Sequence, residues 1–256
     1  MRITIVQSAL HWEQPQANLA QFSKRMSGLS GQTDLLVLPE MFTTGFSMSA
    51  STLSEPMDGP TVDWLRKEAA QLGASVVGSF ICRAGEQHFN RLVWAYPDGR
   101  IMTYDKRHLF GLAGEADHYL AGRERVVLEW RGWRICPLIC YDLRFPIWSR
   151  NDKNEPFDLL LYIANWPSRR SHHWRSLLTA RAIENQCFVA GVNIVGSDGA
   201  GLEYSGDSTV IDFAGLPICQ ISGQEGLFTA NLSLSDLQTY RQQLPFLRDA
   251  DSFALH

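Results

Sequence analysis

Hydrophobic positions along the chain follow two periods, and the alternation between them predicts the order of elements. "RITIVQ" (2–7) alternates and is rich in β-branched residues, so it reads as a strand. "DLLVLPE" (34–40), "ASVVGSFI" (74–81) and "FDLLLYIAN" (157–165) are continuous apolar runs, the pattern of strands buried on both faces, and "CFVAGVNIV" (187–195) reads as a further strand. "PQANLAQFSKRMSGLS" (15–30) sets Leu19, Phe22, Met26 and Leu29 at helical spacing, with Pro15 near its start and a glycine after Ser30. "TVDWLRKEAAQLG" predicts an amphipathic helix ended by Gly73. "SHHWRSLLTARAIENQ" predicts another with Ser171 as N-cap, and "SLSDLQTYRQQL" a last one capped by Ser233 or Ser235. A short helix is expected from about Phe145. Three hairpins complete the pattern: "FNRLVWAYPDGRIMTYDK" around Pro97-Asp98-Gly99, "RVVLEWRGWRICPLICYD" around Arg131-Gly132, and "STVIDFAGLPICQI".

No linker or low-complexity stretch interrupts these elements, so one domain is expected over residues 1–256. The class is α/β. Helices alternate with buried strands, yet hairpins also occur, so the sheets should be mixed. Two sheets packed together, with helices outside, would bury strands on both faces. Composition adds exclusions. A net charge of −4 gives no reason to expect nucleic acid or an anionic membrane as partner. No apolar run approaches the roughly 20 residues that span a bilayer. The five cysteines have no framework spacing, and reduced thiols in a cytoplasmic protein account for them most simply.

Three apolar strands end in a residue with chemistry. "LLVLPEMF" ends at Glu40, "IMTYDKRHLF" at Lys106, and "CPLICYDLRF" at Cys140. Strand ends at one sheet edge are where α/β enzymes gather catalytic groups. Taken singly, each has an ordinary explanation: a loop carboxylate, an exposed ammonium, an inert core thiol. Taken together they supply a base, a cation and a nucleophile for acyl transfer, with no histidine needed. Cys136, four residues upstream on the same strand, reads as core; position at the strand end, not strand face, separates it from Cys140.

The order and context of "LPEMF", "YDKRHLF" and "ICYDLRFP" resemble the nitrilase superfamily, the carbon–nitrogen hydrolases, and the resemblance spans nearly the whole chain. It implies a Glu40–Lys106–Cys140 triad on an αββα four-layer sandwich of two mixed sheets that pairs into a homodimer, with no metal and no organic cofactor. It also implies that the backbone N–H of Tyr141 joins Lys106 at the oxyanion. A second family glutamate matches Glu115 in "GLAGEADHY", which otherwise reads as a loop carboxylate.

The triad fixes a reaction type and leaves the small-molecule amide open. "CYDLRFP", "DKRHLF", "NWPSRRSHHW" and "RAIENQ" resemble the omega-amidase branch, which acts on 2-oxoglutaramate and 2-oxosuccinamate. Arg144 is suited to a substrate carboxylate, or alternatively to a surface or interface salt bridge. Asn165 and Trp166 stand at a strand end where they could wall the pocket, and Trp166 could equally be a packing aromatic. Phe42 and Phe46 could form a lid or simply pack. Arg169 and Arg170 read as a solvated pair, with a carboxylate contact as the lesser alternative. Arg181 and Glu184 should pair at an interface or brace the site. Adjacent His172 and His173 point about 100° apart on a helix and cannot chelate one metal. Rival readings are a nitrilase, a carbamoylase, an amidase for deaminated glutathione, a non-catalytic scaffold on the same fold, and a redox-sensing thiol.

Overall fold

Neighbouring residues on a strand face opposite ways, and in this protein both faces find a hydrophobic partner. The computed structural model describes residues 1–154 and 156–251. The first half contributes β1 (Arg2–Gln7), β2 (Leu35–Val37), β3 (Ser75–Ala84), β4 (Gln87–Ala95) and β5 (Ile101–Asp105). The second half contributes β6 (Leu128–Trp130), β7 (Trp133–Ile139), β8 (Leu159–Ile163), β9 (Phe188–Val192), β10 (Val195–Ser197), β11 (Glu203–Ile211) and β12 (Pro217–Ser222). A final strand, β13 (Gly226–Asn231), crosses back and lies antiparallel to β1. The helices are α1 (Pro15–Met26), a single turn α2 (Ala50–Leu53), α3 (Pro60–Leu72), α4 (Ser171–Asn185) and α5 (Leu234–Gln243).

One sheet runs β13-β1-β2-β3-β4-β5, and the other β10-β11-β9-β8-β7-β6 with β12 on β11. The centre of each is parallel, β1-β2-β3 and β7-β8-β9, with antiparallel flanks. Parity sorts the layers. Ile3, Ile5, Leu35 and Val37 share a core cluster with Leu161, Ile163 and Ala190, which lie on the face of the other sheet opposite Gly191, whereas Val6, Leu36 and Leu38 pack with Phe22, Val62 and Leu65 of α1 and α3. On the far side α4 lies directly on β9: a Cβ built on Gly191 would come within 2.4 Å of Leu178 Cδ1. Helix, sheet, sheet and helix therefore stack as the expected αββα sandwich of two mixed sheets.

Local expectations were modified in four places. Helix α1 ends at Met26 and not near Ser30, because Ser27 leaves helical geometry and its hydroxyl caps Lys24 O at 2.7 Å. Ser171 is the first residue of α4 and not its cap; its hydroxyl donates instead to Asp207 Oδ2 at 2.7 Å. The run 187–195 breaks at Asn193, whose side chain bonds both Trp166 and Gly206, so β9 and β10 are separate. No helix follows Phe145: the turn is a 3₁₀ segment, Cys140–Arg144, starting at the nucleophile candidate itself. Ser233 does cap α5, accepting from Asp236 N at 3.2 Å. Gly99 and Gly132 take the positive φ that the two predicted hairpin turns require.

The loop that carries Lys106 is pinned from two sides. Asp105 forms a bidentate pair with Arg91, 2.7 Å in each arm, and Gly122 N donates to Lys106 O at 2.9 Å. A Cβ on Gly122 would lie 2.1 Å from the backbone oxygen of Asp105, which cannot rotate away. Gly122→Ala should therefore destabilise the protein by roughly 1–3 kcal/mol. The expected fall in Tm is roughly 3–10 °C by calorimetry; an unchanged Tm would show that the loop relaxes freely.

Candidate active site

Glu40, Lys106 and Cys140 come from three different strand ends and meet beneath one cavity. Glu40 follows β2, Lys106 follows β5 and Cys140 follows β7. Glu115, on a short 3₁₀ turn, joins them. Lys106 Nζ donates to Glu40 Oε1 at 2.9 Å and to both Glu115 oxygens at 2.9 Å. All three side chains are excluded from solvent.

The rest of the cage is polar backbone and amide. Asn90 Nδ2 donates to Glu40 Oε1 at 2.8 Å. The backbone N–H of Asn165 donates to Glu40 Oε2 at 2.8 Å, and its side-chain amide donates to Glu40 O at 2.6 Å. Phe110 N donates to Glu115 Oε2 at 2.6 Å. Buried carboxylates need such donors, because an unpaired buried charge costs several kcal/mol.

Cys140 sits in the left-handed region at φ 43°, on the first residue of its turn. That departure from strand geometry swings its side chain out of the sheet toward Glu40. Asp142 holds the turn. Its buried carboxylate accepts from Ile139 N at 3.0 Å, Tyr104 OH at 2.7 Å, His108 N at 3.0 Å and the His108 ring at 2.8 Å. The cysteine turn and the lysine loop are thus fastened to one another through one side chain. Arg181 braces the same turn, donating to Leu143 O at 2.7 Å while pairing with Glu184 at 2.9 Å.

The electrostatics keep the nucleophile candidate protonated at rest. Burial, then the charge of Glu40 and a hydrogen bond to it, push the Cys140 thiol well above its ordinary value against the pull of Lys106. Two carboxylates already share the one ammonium, and a thiolate would add a third negative charge. Burial opposes the Lys106 ammonium, but Glu115 and Glu40 outweigh it and raise its pKa. Burial also raises the Glu115 carboxyl, with Lys106 opposing and Glu40 reinforcing. Cys136 differs in surroundings: it is fully buried in the core and does not line the cavity, and burial pushes its thiol up to about 12.

A cavity of about 430 Å³ opens over Cys140, with Tyr141, Arg144, Asn165 and Trp166 in its wall. Trp166 plays both parts anticipated for it: it lines the cavity and packs on Trp174 with ring centroids 5.5 Å apart. Arg144 lies over the Trp166 ring at 4.7 Å and donates to His173 Nδ1 at 3.2 Å. Phe42 is a correction. It turns away from the cavity into the core, with Phe22 at 5.7 Å and Trp64 at 5.6 Å, in space left by the missing side chain of Gly78. Phe46 takes the wall position, its ring 4.9 Å from Lys106 Nζ. Arg169 and Arg170 also line the cavity. Sequence reasoning missed Asn90 and Asp142. Each was visible as a polar residue where a strand or strand end is otherwise apolar. Among the described residues, no group of three His, Cys, Asp or Glu side chains is placed to hold a metal ion.

Comparison with known proteins agrees with this geometry. The sequence matches the Carbon-nitrogen hydrolase family over residues 2–242. Omega-amidase YafV of Yersinia enterocolitica is 48% identical over 256 residues, covering 100% of this chain and 98% of that protein. The 2-oxoglutaramate amidase of Bacillus subtilis is 35% identical over 96% of each chain. Among solved structures, XC1258 of Xanthomonas campestris superposes with a TM-score of 0.98 at 50% identity, covering 100% of this chain and 99% of that one. It is described as a CN-hydrolase superfamily protein with an arsenic adduct in its active site.

A resting thiol should behave as one. The rate of Cys140 alkylation by iodoacetamide should keep climbing as pH rises through 9, since the thiolate fraction is still growing there. Peptide mapping should place the adduct on Cys140. A rate that levels off below pH 8 would mean that the thiolate is the resting form.

Proposed function

Because the chain belongs to the carbon–nitrogen hydrolase family, we propose that it is an omega-amidase, hydrolysing the terminal amide of 2-oxoglutaramate- and 2-oxosuccinamate-type monoamides to the acid and ammonia. The observation that carries the catalytic assignment is the buried Lys106 ammonium held by Glu40 and Glu115, with Lys106 and Cys140 lining one cavity. Full-length similarity to omega-amidase and 2-oxoglutaramate amidase supports the substrate class.

Glu40 takes the thiol proton as sulfur attacks the amide carbonyl carbon, so that no free thiolate accumulates. Lys106 and the backbone N–H of Tyr141 donate to the oxyanion. As the C–N bond breaks, Glu40 returns the proton to the departing ammonia and leaves a thioester on Cys140. Glu40 then removes a proton from water, which attacks the thioester. Collapse of the second tetrahedral intermediate releases the acid and restores the thiol. Glu115 holds Lys106 in place and balances its charge. Arg144, 4.7 Å over the Trp166 ring at the cavity wall, receives the distal carboxylate.

The enzyme works in the cytoplasm as a homodimer. Reduced cysteines are consistent with the first, and exposed Ile183 on α4 and Leu216, next to the Gly215 that abuts Ile183, offer apolar surface for the second. Sedimentation should give twice the chain mass.

Two variants test the assignment. Glu40→Gln should keep its fold and lose roughly 10²–10⁴-fold in kcat, because an amide cannot accept the thiol proton; near-normal turnover would remove Glu40 from the mechanism. Arg144→Ala should lose about 10- to 150-fold in kcat/KM on succinamate, the worth of a charge-assisted bidentate contact. Butyramide, which lacks the carboxylate, should be little affected. Equal losses on both substrates would make Arg144 structural.

A further inference from the structure

One acceptor beside Glu40 is left over once the resting contacts are assigned. Asn165 stands two residues past Ile163, which pairs with Ile139 in the parallel β7–β8 ladder, and Cys140 stands one past Ile139. The two residues therefore follow the ends of neighbouring strands, and both line the cavity together with Lys106. Asn165 spends its donors on Glu40: the backbone N–H reaches Oε2 at 2.8 Å, and Nδ2 reaches the backbone oxygen at 2.6 Å. That backbone oxygen can only accept, so the contact fixes which end of the side-chain amide is oxygen. Oδ1 is buried, and among the described residues no donor reaches it. A buried acceptor left unmade is costly, so its place at a catalytic cavity calls for a partner that arrives during turnover.

The neighbouring carboxylate has no such capacity to spare. Glu115 Oε1 accepts from Lys106 Nζ at 2.9 Å and from Asn90 Nδ2 at 3.5 Å. Its Oε2 accepts from Lys106 Nζ at 2.9 Å and from Phe110 N at 2.6 Å. Glu115 is committed to the lysine and its loop. Asn90 also has a buried oxygen without a donor, but Asn90 does not line the cavity. Asn165 therefore offers the uncommitted acceptor that lies both against the base and at the cavity.

The water that attacks a thioester on Cys140 has two hydrogens. Glu40 takes one as a proton. Where the other points decides whether the oxygen lone pair faces the acyl carbon. We propose that Asn165 Oδ1 accepts a hydrogen bond from this second hydrogen and so aims the hydrolytic water, making Asn165 a catalytic residue of the deacylation half-reaction. The inference rests on the thioester route described above. The water oxygen bonds to the acyl carbon as Glu40 removes one proton. The C–S bond then breaks, sulfur takes that proton back from Glu40, and the released acid keeps the hydrogen that Asn165 held. Acylation of Cys140 uses no water, so the contact serves one half of the cycle.

The test follows succinamate hydrolysis with and without hydroxylamine, which captures the thioester as a hydroxamate. It uses wild type, Asn165→Ala, Asn165→Ser and Asn90→Ala. Asn165→Ser removes Oδ1 but keeps a hydroxyl beside Glu40 O, which favours a folded variant. Circular dichroism and iodoacetamide titration of Cys140 establish the fold of each. The ratio kcat/KM covers the steps through ammonia release, whereas kcat also includes deacylation. Both Asn165 variants should lose about 10- to 100-fold in kcat and keep kcat/KM within about threefold. The acyl group should accumulate on Cys140 by intact mass, and the hydroxamate-to-acid ratio should rise about tenfold or more. Asn90→Ala, which costs Glu40 a donor without touching the cavity, should lower kcat and kcat/KM together and leave that ratio nearly unchanged. If the Asn165 variants lower both parameters equally, or raise the ratio no more than Asn90→Ala does, Asn165 only positions Glu40. The inference is then overturned while the thioester route stands. A wild type that releases ammonia but forms no hydroxamate would overturn the route, and this inference with it.

Discussion

The site depends on an ammonium held between two carboxylates where water does not reach. Lys106 would be costly to bury alone, and so would Glu40 or Glu115. Together, at 2.9 Å contacts and with Asn90, Asn165 and Phe110 filling the remaining acceptor positions, they form a cluster that satisfies itself. The cluster also dictates the state of the sulfur. A single positive charge already shared by two carboxylates does little to favour a third anion, and burial with the charge of Glu40 pushes the Cys140 thiol well above its ordinary value. In the proposed mechanism attack and proton transfer are thereby coupled, with Glu40 held in place by Lys106, Asn90 and Asn165 before substrate arrives.

Geometry at the sulfur is maintained by a second buried carboxylate. A non-glycine residue at φ 43° costs of order 1–3 kcal/mol. Asp142 offsets this by accepting four hydrogen bonds from three elements: the end of β7, the β5 tyrosine and the loop after Lys106. Gly122, packed against Asp105, limits how far that loop can shift. The two stacked sheets thus present their strand ends to one point because loops from each are tied to the other.

Much of this was legible in the sequence. Apolar runs that stop abruptly at Glu40, Lys106 and Cys140 mark both the strands and where they end, and the continuous apolar runs require two covered faces. Parity within those runs is what the stacked layers use. What stayed hidden depends on partners distant in sequence. Asn90 looks like any strand asparagine until β2 brings Glu40 beside it. Ser171 has the local pattern of a cap, yet Asp207 on β11 takes its hydroxyl. Phe42 and Phe46 are four residues apart in an irregular loop, where no periodicity assigns a face; the absent side chain of Gly78 decides which one goes inward.

The protonated resting state of Cys140 has a consequence for survival under oxidants. Peroxides attack thiolates, and their selectivity for particular cysteines follows thiolate character. An enzyme that activates its sulfur by lowering the thiol pKa exposes a vulnerable anion between turnovers. Here the anion develops only as an amide carbonyl accepts the electron pair, so the idle site offers oxidants little to attack. Slow oxidation of the idle sulfur is the outcome expected from the same crowding of carboxylates.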